Sequence, residues 1–147
     1  MGAREIFRQF TAAVDTNDID ALAALVHDDF RIEGAGVSGI GKREFVAVMK
    51  AQLDAFPDYS ENPSDISEDA SGDVVHFVAH VSGTQDGPLA FPGQKPIPAT
   101  GRHFQLPPEP AWVKVKDGKL FLYHVEAVPG GGVEGILSQL GDAQRAS

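Results

Sequence analysis

The hydrophobic residues change period part-way along the chain, and that switch restricts the fold more than any other feature. Ile6, Phe7, Phe10, Ala13 and Val14 recur at three- and four-residue spacing, which predicts one buried helical face. Thr16-Asn17-Asp18 breaks the pattern, and Asn17 or Asp18 can cap a second short helix carrying Ile19, Leu22, Leu25 and Val26. Phe30 to Glu33 alternates as a half-buried strand, and Gly34 to Gly41 reads as a flexible turn region. Phe45, Val48, Met49, Leu53 and Phe56 return to the helical period until Pro57 ends it. Beyond residue 70 the period is two.

Asp73 to Ser82 alternates and is rich in Val and Phe, which predicts a long strand. Gly83 to Gly101 holds Gly87, Pro88, Pro92, Gly93, Pro96 and Pro98, an irregular excursion of the kind used for lids or dimer contacts. Arg102 to Leu106 is the next strand, followed by Trp112 to Lys116. Asp117-Gly118 is the strongest hairpin signal in the chain, and the return strand runs from Leu120 to Val128. Ile136, Leu137 and Leu140 predict a final short helix. Helices first and antiparallel strands second give an α+β fold, with helices packed on one face of a curved antiparallel sheet. No repeat or linker divides residues 1–147, so one domain is expected.

Charge narrows the function. Twelve Lys plus Arg stand against 21 Asp plus Glu, a formal net charge of -9, with no basic run, so neither nucleic acid nor an anionic membrane is an expected partner. Cysteine is absent, which removes disulfides, thiolate metal sites and a Cys nucleophile. No apolar run approaches the roughly 20 residues of a membrane span, and charges occupy the place of a signal peptide's apolar stretch, so a cytoplasmic protein is expected.

Several motifs read as decoys. Gly34 to Gly39 matches GxGxxG but lacks the parallel βαβ framework that dinucleotide binding needs. Gly36 to Lys42 fits GxxxxGK, but Arg43 stands where Ser or Thr would hold magnesium. His76 and His80 on a strand lie about 13 Å apart, too far for one zinc ion. No GxSxG elbow is present. No metal and no cofactor are expected.

The candidate chemistry lies on the last long strand. Alternation places Leu120, Leu122, His124, Glu126 and Val128 on one face, with His124 and Glu126 about 7 Å apart in an apolar setting. A desolvated carboxyl has a raised pKa, so the pair suits taking a proton from carbon and returning one to oxygen. The bland alternative is a satisfied polar pair, or an edge strand that leaves both groups wet. Asp58, His103 and Trp112 are candidates to line the same cavity; Glu109, flanked by prolines, is expected to be exposed. His27, at a helix end, reads as a dipole partner.

Taken together, Ala55-Phe56-Pro57-Asp58, Val81-Ser82-Gly83-Thr84, Pro98 to Arg102, Asp117 to Leu120 and Leu137 to Gly141 resemble the SnoaL-like polyketide cyclases. That family lies within the nuclear transport factor 2-like, or cystatin-like, α+β cones. The resemblance implies a conical cavity between sheet and helices and a homodimer through the sheet. It also implies an intramolecular aldol ring closure that needs neither metal nor cofactor. The family's acid/base Asp falls at or near Val128, which cannot transfer a proton, and Gln85 stands where the family has His. Glu126, one strand step back with His124 beside it, is the expected substitute, and Val128 is left as a wall for substrate. The expected activity is therefore cofactor-free acid/base chemistry on a small hydrophobic molecule, a cyclisation or an isomerisation. Epoxide opening ranks lower, because it wants an Asp/Arg/Asp set and Arg102 alone is well placed. A non-catalytic small-ligand container and a filled structural domain are the two alternatives.

Overall fold

The computed structural model describes residues 2–34, 37–91, 93 and 95–145. Four helices and eight strands follow in the order α1 (Ala3–Asp15), α2 (Ile19–Leu25), β1 (Val26–Gly34), β2 (Val37–Ile40), α3 (Lys42–Ala55), β3 (Ser64–Glu68), β4 (Val74–Ala79), β5 (Ser82–Thr84), β6 (His103–Gln105), β7 (Glu109–Lys116), β8 (Lys119–Val125) and α4 (Gly132–Arg145). Six strands make a curved sheet in the order β2-β1-β8-β7-β4-β3, and β5 and β6 form a separate pair. The α+β layout expected from the change of period is the one observed.

Helix α1 buries Ala3, Ile6, Phe7, Phe10, Ala13 and Val14 against the sheet, where Phe7 packs on Phe77 at 4.5 Å between ring centroids and Phe10 on Tyr123 at 6.1 Å. Asp18 caps α2 by accepting from the Ala21 N–H at 3.0 Å. The β7–β8 hairpin turns at Asp117 (φ 54°) and Gly118 (φ 71°), the two positive values that a tight two-residue turn of this hand requires.

Where expectation and structure part, local chemistry explains it. The region from Gly34 to Gly41 contains β2, which pairs antiparallel with β1 through Ile32–Ile40 and Gly34–Val37. The glycine pattern is therefore part of a β-hairpin; Ala35 and Gly36 lie outside the described residues. The strand expected over 73–82 is broken into β4 and β5, and the short polar β3 pairs with β4. Nothing in the apolar pattern announces β3, because its side chains are half-buried or exposed throughout. One strand pair is parallel: β8 lies beside β1, a contact between distant parts of the chain that hairpin logic does not foresee. Strand β8 stops at Val125 rather than Val128, and α4 begins at Gly132.

Candidate functional site

A cavity of about 140 Å³ lies between the inner face of the sheet, helix α3, the segment Tyr59–Glu61 and the first turns of α4. Ile32, Ala79, Glu109, Tyr123 and Val125 come from the sheet; Phe45, Val48, Met49 and Gln52 from α3; Gly132, Val133 and Ile136 from α4. The lining is mostly apolar, and its polar side chains are Gln52, Tyr59, Glu61, Glu109 and Tyr123.

Each polar group is placed by its element. After α3 ends at Ala55 and Phe56 caps it, the chain becomes extended: Ser60 bridges to Ser82, and the Glu61 carbonyl accepts from the His80 N–H at 2.6 Å. Extended backbone sends Tyr59 and Glu61 to the same side and Ser60 to the other, where its hydroxyl donates to Asp15 at 2.8 Å. Glu109 opens β7 on the same face as Ala111, Val113 and Val115, all buried. Gln52 lies on the inner side of α3, with Met49 and Leu53 among its buried neighbours.

The two carboxyls are the unusual feature. Glu61 is 6% exposed and Glu109 4%. Burial pushes the Glu61 carboxyl up to about 7; the Tyr123 hydroxyl, donating to it at 3.0 Å, opposes that rise, and the charges of Glu109 and Asp15 reinforce it. Burial likewise raises Glu109, offset by the Gly132 N–H that its Oε2 accepts at 2.9 Å. Burial, with the negative charges of Glu61 and Glu109 nearby, holds both Tyr59 and Tyr123 protonated far above neutral pH. Tyr123 spends its hydroxyl on Glu61. The Tyr59 hydroxyl and the Gln52 amide make no hydrogen bond among the described residues.

None of the six residues singled out from the sequence lines this cavity. Glu126 lies past the end of β8 with its side chain 61% exposed, and His124 points to the outer face of the sheet. There His124 stacks on Trp112 at 5.3 Å between ring centroids, and its ring nitrogens lie 3.4 Å from Glu33 and 3.9 Å from Glu126. The dry setting expected for this pair is absent. The reason is a bulge: Val115 pairs with Leu120 and Lys114 with Leu122, leaving Phe121 unpaired. Leu120 therefore faces the core together with Tyr123, and strict alternation assigns the wrong side from there on. Asp58 and His103 are brought together through Thr84, but on the outward face of the β5–β6 pair: Asp58 accepts from the Thr84 N–H at 2.6 Å and hydroxyl at 2.9 Å, and His103 lies 3.0 Å from that hydroxyl. Val128 is half-buried in the turn before α4, its carbonyl accepting from the Gly131 N–H at 3.0 Å.

The described residues of the excursion from Gly83 to Gly101 contribute nothing to the cavity wall either. It is pinned by Gln85, fully buried, whose amide donates to the Ile97 and Pro98 carbonyls and accepts from the Thr100 N–H and hydroxyl. Leu89 and Phe91 anchor it in the core. Glu109, expected to be exposed, is the opposite. Its signal was present in the sequence: continuing the alternation of Val115, Val113 and Ala111 back by one step puts Glu109 on the buried face. Glu61 carried no such signal.

Among the described residues no three His, Asp or Glu side chains converge as a metal-holding group, and no helix is long and apolar enough to cross a membrane. The SnoaL-like domain family model matches residues 7–123, and the chain belongs to that family. The fold recurs in solved structures. A candidate polyketide cyclase from Pseudomonas putida KT2440 shares 23% identity over 95% of this chain and 98% of its own, with a TM-score of 0.68. TsrD from Streptomyces laurentii shares 24% identity over 94% and 93%, with a TM-score of 0.67. An LEH-like epoxide hydrolase of Mycobacterium tuberculosis shares 18% identity over 99% and 96%, also with a TM-score of 0.67. No curated protein matches the chain in sequence. The chain thus belongs to the SnoaL-like domain family and shares its α+β fold with these solved structures.

Proposed function

We propose that this protein is a cofactor-free acid/base enzyme acting on a small molecule held in the cavity, and that Glu61 moves the proton. The observation that carries the reading is a carboxyl only 6% exposed in a mostly apolar pocket, where burial pushes it up to about 7. A base poised near neutral pH is present in both protonation states, so it can accept a proton from carbon and hand one back. The reaction that suits these groups is proton transfer beside a carbonyl, as in an isomerisation or an aldol-type ring closure. The C–H proton goes to the Glu61 carboxylate, the C–H electron pair becomes the enolate π bond, and the negative charge collects on the carbonyl oxygen. Tyr59 and Gln52, whose donors are unspent, are the groups that would meet that oxygen.

Epoxide opening, the activity named for the mycobacterial structure, gets less support. No arginine is among the described residues that line the cavity, and Arg102 is spent at the surface on the Gln139 carbonyl at 3.0 Å.

The test is hydrogen–deuterium exchange at the α-carbon of enolisable cyclic ketones in D2O, followed by proton NMR. Wild-type protein is expected to accelerate exchange, and Glu61→Gln to lose a factor of about 10² or more while still binding the ketone. Exchange that survives Glu61→Gln would remove Glu61 from the chemistry. A ketone bound without exchange between pH 6 and 8 would leave a container rather than an enzyme.

A further inference from the structure

The composition of the cavity wall says more than where a proton moves; it also restricts what can occupy the space. We propose that the cavity selects an uncharged carbonyl compound of about one ring and rejects carboxylates. The inference rests on the reading of the cavity as the reaction site, and it concerns binding rather than turnover.

Size is the first constraint. A buried apolar cavity of about 150 Å³ in another protein holds one benzene molecule. The 140 Å³ here matches a single six-membered ring with its substituent oxygen, and a fused second ring must project through the cavity's open side. The wall cannot yield cheaply, because Phe45, Tyr123 and Ala79 are themselves packed in the core.

Charge is the second. The described lining contains two carboxyls and no Lys, Arg or His. A ligand carboxylate would add a third acid to a desolvated space that already holds Glu61 and Glu109, with no cation to meet it.

The third is the pattern of unused polar atoms. Gln52 is 5% exposed and Tyr59 6%, and both border the cavity. Gln52 leaves no amide atom sealed off from open space, and neither side chain has a hydrogen-bond partner among the described residues. Donors left open in a mostly apolar pocket suit an acceptor oxygen, which a ketone or aldehyde supplies and a hydrocarbon does not.

The experiment uses the full chain, labelled with 15N and titrated by NMR at pH 7, with four probes of defined chemistry. These are cyclohexanone, cyclohexanecarboxylate, cyclohexylammonium and the fused two-ring ketone 2-decalone. Cyclohexanone is expected to bind, shifting the amides of Met49, Tyr59 and Glu61. Cyclohexanecarboxylate should bind at least about tenfold more weakly, since a like charge in a desolvated site is strongly unfavourable. The two-ring ketone should also bind more weakly. Gln52→Leu and Tyr59→Phe, each close in shape to the original, should weaken cyclohexanone about five- to tenfold with the rest of the spectrum unchanged. Carboxylate or ammonium binding as tight as the ketone would overturn the charge argument, and equal affinity for the two-ring ketone would overturn the size argument. Failure of cyclohexanone to bind would overturn the proposal as a whole. The wild-type order of affinities stands without any variant. It is also distinct from the deuterium-exchange test, since either can fail while the other holds.

Discussion

Tyr123 and Glu61, 62 positions apart in the chain, meet inside the cavity: the phenol of the last strand donates to the carboxyl at 3.0 Å. This bond works against the burial that raises Glu61, because a donor stabilises the ionised carboxylate. Tyr123→Phe removes it without changing shape. The Glu61 carboxyl should then titrate above about 7, and the pH profile of proton exchange should move toward alkali. Carbon-detected NMR of the Glu61 side chain reads the shift directly. The variant should also lose about 1–2 kcal/mol of stability, because a buried acceptor is left without its donor.

The same carboxyl makes stability depend on pH. Glu61 titrates near 4.5 when the chain is unfolded and near 7 when it is buried, so between these values the folded protein binds more protons than the unfolded one. Stability from this group is therefore complete below about pH 4.5 and declines as pH rises through 7, by about 3 kcal/mol in all. The raised Glu109 acts in the same direction. Glu61→Gln keeps an acceptor for Tyr123 and has no charge to desolvate. It should melt higher than wild type at pH 8, with the gap closing toward pH 5. A wild-type stability that rises between pH 5 and 8 at constant salt, with Glu61→Gln moving in parallel, would contradict the assignment.

Much of the fold is legible in the residues because it rests on local rules. The helical faces of Ile6 to Val14 and Phe45 to Leu53, the Asp18 cap and the Asp117-Gly118 turn each depend on a few neighbouring positions. The site depends on long-range facts. The bulge at Phe121 reverses the facing of β8, so His124 stacks on Trp112 at the outer surface while Tyr123 takes the inner position. Glu61 is buried only because Ser60 bridges to Ser82 and the His80 N–H reaches the Glu61 carbonyl, pairings with no trace in the spacing of Tyr59 to Pro63. Glu109 was within reach, since its strand's alternation continues through the prolines.

Gly34 gives a purely steric prediction. It ends β1 with φ at +89°, and a Cβ built there would lie 1.8 Å from the Val125 carbonyl oxygen on β8. Neither the backbone angle nor the approach tolerates a methyl group. Gly34→Ala should cost at least about 2 kcal/mol in urea unfolding. It should also disturb the amides of Val125 and Ile32, which flank the cavity.

Glu109 has two separable tasks, and two substitutions divide them. Its charge helps to raise Glu61, and its Oε2 accepts the Gly132 N–H at the start of α4, the helix that closes one side of the cavity. Glu109→Gln keeps an acceptor for Gly132 and abolishes the charge. Glu61 should then titrate below about 7, and proton exchange should reach its plateau at lower pH with α4 still in place. Glu109→Ala loses the acceptor as well, so the first turn of α4 should fray. Hydrogen exchange at Gly132 to Ile136 should accelerate in the Ala variant alone, while the acid shift of Glu61 should be common to both. If the Gln variant leaves the Glu61 titration in place, the two carboxyls are electrostatically independent, and Glu109 serves only to hold the helix.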